Sequence, residues 1–352
     1  MNSARNILIR VDGSKRIGMG HVYRMLTLAR HLKRKYGFTL VFVVRNCASS
    51  VSLILRSGFT VATLPFGISL SQEVRKLADM LRFYRPFMVI ADVLHFDRDS
   101  RFMGSLRYDK DVVLVAYNDD NKRRLVDADI VFSSDFSQQP ALYNKEARTR
   151  YYVGFDYLIL NEDYGRVNKN IRKINKSIRN VVVCMGGVDQ HNLTAKVLRA
   201  IDGSCIDFKC EVVVNSNFFD KGLARRLADN SKHDISFNFD VDSLVKYFSK
   251  ADLAITSGGL VHLERMCSGT PGIVINQHAR QADLSLRIMR QEATFDLGLH
   301  SQVSASEIID SFNNLSRDYS LRAKMAAKGK ELVDGKGLAR IVNIINQAVR
   351  AK

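Results

Sequence analysis

From Ile7 to Lys35 the chain reads ILIRVDGSKRIGMGHVYRMLTLARHLKRK, and this stretch decides the fold. Ile7-Leu-Ile-Arg-Val11 is short, apolar and β-branched, the composition of a buried strand. Asp12 to Gly20 is a glycine-containing loop. From about His21 to Lys35, Leu26, Ala29 and Leu32 recur at helical spacing, which predicts an amphipathic helix. A strand, a glycine loop and a helix in that order open a parallel α/β domain.

The same alternation continues outward. Thr39–Val44, Met88–Asp92, Val112–Ala116 and Ile130–Phe132 read as strands, and Gln72–Phe83 as a helix. The stretch from Asn161 to Arg179 is polar, basic and without apolar periodicity, so a domain boundary is expected there. A second series follows: strand Val181–Cys184, loop Met185–Asp189, helix Leu193–Ile201, strand Glu211–Val214 and helix Lys221–Asp229. Strand Asp252–Ile255 then ends in Ser257-Gly258-Gly259, helix Val261–Ser268 comes next, and strand Gly272–Ile275 after it. From Glu307 to Lys352 the pattern is helical. The expectation is an α/β protein with two Rossmann-like domains facing across a cleft. They span 1–165 and 178–330, with 331–352 as a helix returning to the first domain.

The bulk numbers suit that plan. A chain of 352 residues accommodates two ordinary domains. No apolar run approaches the ~20 residues of a membrane span, and the first ten residues lack the regions of a signal peptide. A cytoplasmic protein without membrane anchoring is expected. The five cysteines form no CxxC pair and no zinc spacing, and read as reduced thiols. The net charge of +17 calls for an anionic partner. Basic residues do not gather in one tract, and no aromatic-plus-basic signature accompanies them, so nucleic acid is not expected. A phosphorylated small molecule is.

Candidate chemistry falls on loops after strands, where ligands sit in open parallel sheets. Gly18-Met-Gly20-His21 places small residues and an imidazole at a helix start, suited to an anion and a general base. It is not the dinucleotide fingerprint, because Arg24 stands where the third glycine would be. Gly186, Gly187 and Asp189 form the matching loop of the second half. Ser257, Gly258 and Gly259 let backbone approach a pyrophosphate, and Glu264 on the next helix could accept hydrogen bonds from a ribose. Asn276 and Gln277 offer amides to sugar hydroxyls. Asp92 and Asp119 end or follow strands, placed to orient a base or meet a sugar. No P-loop, H-E-x-x-H, G-x-S-x-G or metal-spaced carboxylate set occurs, so neither metal nor cofactor is expected.

These residues together resemble the PseG/SpsG family, the UDP-sugar hydrolases of the pseudaminic acid pathway and related polysaccharide-biosynthesis proteins. More distantly they resemble MurG-type glycosyltransferases of the GT-B fold. The resemblance runs through Arg10-Val-Asp12, Ile17-Gly-Met-Gly-His-Val-Tyr-Arg24, Asn118-Asp-Asp120, Tyr152–Leu160, Cys184–Asp189 with Asn192-Leu-Thr194, Ser257–Gly259 with Glu264-Arg265, Asn276-Gln277 and Asp334–Gly337. Arg10 and Asp12 join the substrate-binding candidates on that ground. The resemblance implies a GT-B architecture, with the nucleotide held mainly by the second domain. It implies that His21 activates water to attack the anomeric carbon, releasing UDP and a free diacetamido-trideoxy sugar with inversion. The chain departs from the family's pattern at Asp92-Val-Leu94, Asp127-Ala-Asp129 and Leu260-Val-His262. A glycosyltransferase using the same nucleotide site with a sugar or lipid acceptor is the alternative, and a non-catalytic nucleotide-sugar binder a third.

Overall fold

The computed structural model describes residues 6–14, 17–93, 102–118, 126–134, 148–216 and 219–350. The chain divides into two compact units, Met1–Leu160 with Lys336–Lys352, and Asn161–Gly335.

The first unit is built on β1 (Asn6–Val11), α1 (Gly20–Tyr36), β2 (Thr39–Arg45), α2 (Ala48–Arg56), β3 (Thr60–Leu64), α3 (Leu70–Tyr84), β4 (Met88–Asp92), β5 (Val113–Tyr117), β6 (Ile130–Ser133) and β7 (Arg150–Val153). The sheet order is β3-β2-β1-β4-β5-β6-β7, and the pairings are parallel. Chain order therefore reverses between β1 and β4. The loops leaving their C-terminal ends diverge to opposite faces and open a crevice between them. The central strands are buried along their length, as a sheet covered by helices on both faces requires. One core, on the α1 and α2 side, gathers Val22, Met25, Ala29, Leu32 and Ile54 against Ile7, Ile9 and Phe42. The other puts Leu77 and Leu81 of α3 against Leu8, Val89 and Leu114.

The second unit begins with α4 (Glu162–Lys169) and β8 (Asn180–Cys184). It continues through α5 (Leu193–Ile201), β9 (Lys209–Val214), α6 (Lys221–Asp229), β10 (Asp234–Phe239), α7 (Val245–Lys250), β11 (Leu253–Thr256), α8 (Leu260–Cys267), β12 (Gly272–Asn276), α9 (Ala279–Met289) and β13 (Phe295–Leu299). It ends with α10 (Ala305–Arg317) and α11 (Tyr319–Leu332). Its order, β10-β9-β8-β11-β12-β13, repeats the reversal, here between β8 and β11. The last helix, α12 (Gly337–Arg350), returns to the first unit. Leu338, Ile341, Val342 and Ile345 recur at one-face spacing and lie fully inside the α1-side core.

The polar stretch 161–179, where the domain boundary was expected, begins where the two units divide and packs with the second. Asn168 Nδ2 donates to the carbonyls of Cys267 (3.2 Å), Lys330 (3.1 Å) and Val333 (3.0 Å). Arg172 donates to Phe248 O (2.8 Å), Ser268 O (3.1 Å) and Ala251 O. All six carbonyls lie at the C-terminal ends of α7, α8 and α11, where four carbonyls per helix have no partner inside the helix. The polarity that reads as a domain boundary also serves as a set of caps. Among the described residues, no helix is long and apolar enough to cross a membrane.

Candidate active site

In the first unit, the loop after β1 is closed on itself. Gly18 N–H donates to Ser14 O (2.9 Å) and Ser14 N–H to Gly18 O (3.2 Å). Gly18 has φ +81°, where a side chain would be strained. Met19 is buried and fixes the entry of α1, which starts at Gly20. His21 then falls in the first turn of α1, its side chain 22% exposed. Its Nδ1 lies 2.7 Å from Oδ1 of Asp92, at the end of β4. The two residues meet because β1 and β4 are neighbours at the reversal point.

Arg24, one turn along α1, clamps the same carboxylate. Its Nε is 2.5 Å from Asp92 Oδ2 and its Nη2 2.5 Å from Oδ1. The guanidinium carbon stands 4.1 Å from the ring centre of Tyr117 on β5, a cation–π contact. Burial raises the Asp92 carboxyl, but Arg24 and then His21 overcome that and hold it at about 2. Asp92 is therefore an anion that only accepts hydrogen bonds. An anion 2.7 Å away calls for a proton on His21 Nδ1, with Arg24 Nη2 also 3.0 Å from that nitrogen, and Nε2 is the ring nitrogen turned away from Asp92. A carboxylate–imidazole pair is an arrangement suited to proton transfer at Nε2.

Arg10 is wholly buried and reaches this region only indirectly. It donates to Asp12 Oδ1 (2.6 Å) and Oδ2 (2.7 Å) and to Glu73 Oε1 (2.7 Å). Asp12 also accepts from Arg45 N–H (2.9 Å) and Glu73 from Arg45 Nη2 (2.8 Å). Burial pushes the Asp12 carboxyl up, and Arg10 and Arg45 together bring it below its ordinary value. Arg10 and Asp12 thus brace the start of the loop that carries His21. Asp119 lies outside the described residues.

In the second unit, the loops after β8 and β11 stand at the equivalent reversal. Gly186 has φ +86°. Asp189 does not face outward, because its two oxygens accept Leu193 N–H and Thr194 N–H at 2.8 Å each and cap α5. Ser257 Oγ donates to Met185 O (2.9 Å), and Gln277 Nε2 to Met185 O (2.8 Å) and Val188 O (2.9 Å). Gln277 is thus a pin across the glycine loop. Asn276 is fully buried and spends its amide inside the fold. It donates to Asp296 Oδ1 (2.7 Å) and Gly298 O (3.0 Å) and accepts from Ser285 Oγ (3.0 Å). A Cβ on Gly258 would sit 2.0 Å from Asn276 Oδ1, so that glycine answers to Asn276. The amide nitrogens of Asn276 and Gln277, expected to meet sugar hydroxyls, donate within the loops' own framework.

Gly259 leads into α8 with no side-chain cap, so the first amides of α8 lack a side-chain partner. Within α8, Arg265 turns inward to Thr270 O and Thr294 Oγ1 (3.1 Å) and leaves Glu264 without an ion-pair partner. Burial pushes the Glu264 carboxyl up to about 8, with the neighbouring Tyr164 hydroxyl pulling the other way. Sequence reasoning missed the roles of Arg24, Tyr117 and Tyr164. Arg24 carried a signal, because a residue three positions after His21 shares its helix face. Tyr117 and Tyr164 come from other elements and carried none.

No family model matches the chain. It is 28% identical over 345 residues to the spore coat polysaccharide biosynthesis protein SpsG of Bacillus subtilis (strain 168), covering 96% of each. The resemblance read from the motifs is to this same kind of protein. Among solved structures, MurG of Acinetobacter baumannii superposes with TM-score 0.70 at 12% identity, over 97% of this chain and 99% of that one. CalG4, the calicheamicin glycosyltransferase, gives 0.68 at 14%, over 99% of both. Identities this low establish the shared fold, two Rossmann-like domains of the GT-B type.

Proposed function

We propose that this chain, similar to SpsG along nearly its whole length and folded like the GT-B glycosyltransferases, hydrolyses a UDP-activated diacetamido-trideoxy sugar to UDP and the free sugar. The observation that carries the reading is the His21–Asp92–Arg24 arrangement at the reversal point of the first sheet. Asp92 fixes the imidazole, and Nε2 takes a proton from water as the water oxygen bonds to the anomeric carbon. The bond from that carbon to the phosphate oxygen breaks with its electron pair on UDP. Attack opposite the leaving group inverts the anomeric centre. UDP leaves readily, so positioned water and a base are the main needs.

The second unit holds the nucleotide in this reading. The glycine loop at Gly186-Gly187 and the amides at Ser257–Gly259 meet the diphosphate. Glu264 accepts the ribose hydroxyls. The test is UDP release from a panel of UDP-N-acetylated and 6-deoxy diacetamido sugars with no acceptor added. Native protein should yield UDP and free sugar in equal amounts, and His21→Ala should lose both while still binding UDP. Release only after a sugar or lipid acceptor is supplied would make the protein a glycosyltransferase and refute the water mechanism.

A further inference from the structure

From Gly13 to Gln72 the chain contains no Asp and no Glu. An even spread of its 36 carboxylates would put about six there. The stretch builds α1 and α2, which lie side by side on one face of the first sheet and share its core. Their C-terminal ends are joined, with Arg30 Nη2 donating to Ser57 Oγ (2.9 Å) and Lys33 Nζ to Gly58 O (3.4 Å). Arg30, Lys33, Arg34, Lys35 and Arg56 are exposed there, around a Leu55 that is 55% exposed. The neighbouring helix on this face, α12, is also free of carboxylates. Among the described residues, the exposed acids of this unit, Asp79, Asp109, Asp111, Asp127 and Asp156, all lie outside α1, α2 and α12, although Asp156 pairs with Arg340 near the start of α12 (3.2 Å).

Basic residues in a last helical turn offset the helix dipole, and one or two per helix do so. That does not account for five exposed cations, an exposed leucine and the absence of acids from Gly13 to Gln72. We propose that this surface holds the protein against an anionic lipid bilayer. The chemistry favours a membrane over nucleic acid. Helix C-termini present carbonyls, which repel a closely seated phosphate, whereas nucleic-acid sites use amide ends and stacking aromatics. A bilayer acts through a field over roughly a Debye length and needs no seated phosphate. Long Lys and Arg stems can carry their charge beyond the helix backbone, and Leu55 enters the headgroup layer. No single helix shows such a patch, because it forms only where two helices end together.

The experiment is co-sedimentation of the whole chain with vesicles of phosphatidylcholine alone and of phosphatidylcholine with about one-third phosphatidylglycerol. Binding to the anionic vesicles alone, lost on adding salt, is expected. The triple variant Lys33→Glu, Arg34→Glu, Lys35→Glu should lower partitioning about a hundredfold, since each charge near the surface contributes about fivefold. Lys221→Glu, Arg225→Glu, Arg226→Glu on α6 changes net charge equally and should leave binding within a few-fold of native. Circular dichroism melting checks that both variants fold. Equal losses in the two variants would reduce the effect to net charge and overturn the proposal. So would release from the vesicles by a DNA duplex that binds the native protein at lower concentration in the same salt. The readout does not involve sugar cleavage, so it stands or falls apart from the hydrolase reading.

Discussion

At Asp92 two demands meet, since the carboxylate must orient an imidazole and must stay charged while buried. Arg24 meets the second demand, and that bears on the first. With the guanidinium in place, Asp92 is already neutralised when His21 takes a proton. Arg24→Met would leave burial, which raises the Asp92 carboxyl, without its main opponent, and Asp92 would take up a proton at higher pH. The acid limb of the kcat/KM profile should then move to higher pH, which a merely structural role would not produce. Asp92→Asn should lower kcat by about a thousandfold through loss of the fixed tautomer, with KM little changed. Glu264 gives a second pH signature. Its carboxyl is protonated below about 8 in the free protein, whereas ribose hydroxyls are best received by the anion. UDP affinity should therefore rise with pH and level off above about 8, and Glu264→Gln should remove the rise; titration calorimetry from pH 6.5 to 9 decides.

Among elements, the strands missed from sequence share a position. β3, β7, β10 and β13 are the four edge strands of the two sheets. Each is half exposed, so none has the continuous apolar run that marks a central strand. The central strands were legible because both their faces are buried and their composition says so. The stretch 161–179, where a domain boundary was expected, begins at the division between the units, and its polarity is spent on helix ends of the second. Asn168→Ala should cost the second unit about 2 kcal/mol, because three carbonyls at the ends of α8 and α11 lose their donor. Urea unfolding followed by a probe in the second unit measures it. At the candidate site, the glycine loops and His21 were legible as a strand, a loop and a helix start. That Asn276 and Gln277 brace those loops was not, since an amide's partners come from strands distant in sequence.

For the whole molecule, the path of the chain matters most at its end. The helix α12 crosses back from the second unit to complete the core of the first. Ending the chain at Gly335 would remove four fully buried side chains, each contributing about 1.5–3 kcal/mol. The first unit should then fail to fold while the second keeps its amide protection, which hydrogen exchange would show directly. By itself, the sequence determined the two α/β series, the glycine loops after their strands, and the imidazole at the first of them. These are local signals, written in spacing of apolar residues and in the few residue types a tight turn accepts. Only the tertiary structure decided that Asp92 orients His21, that Arg24 keeps Asp92 charged, and that Arg10, Asp189, Asn276 and Gln277 hold the scaffold. Those roles depend on which strands become neighbours in the sheet, and a parallel sheet pairs strands that are far apart in the chain.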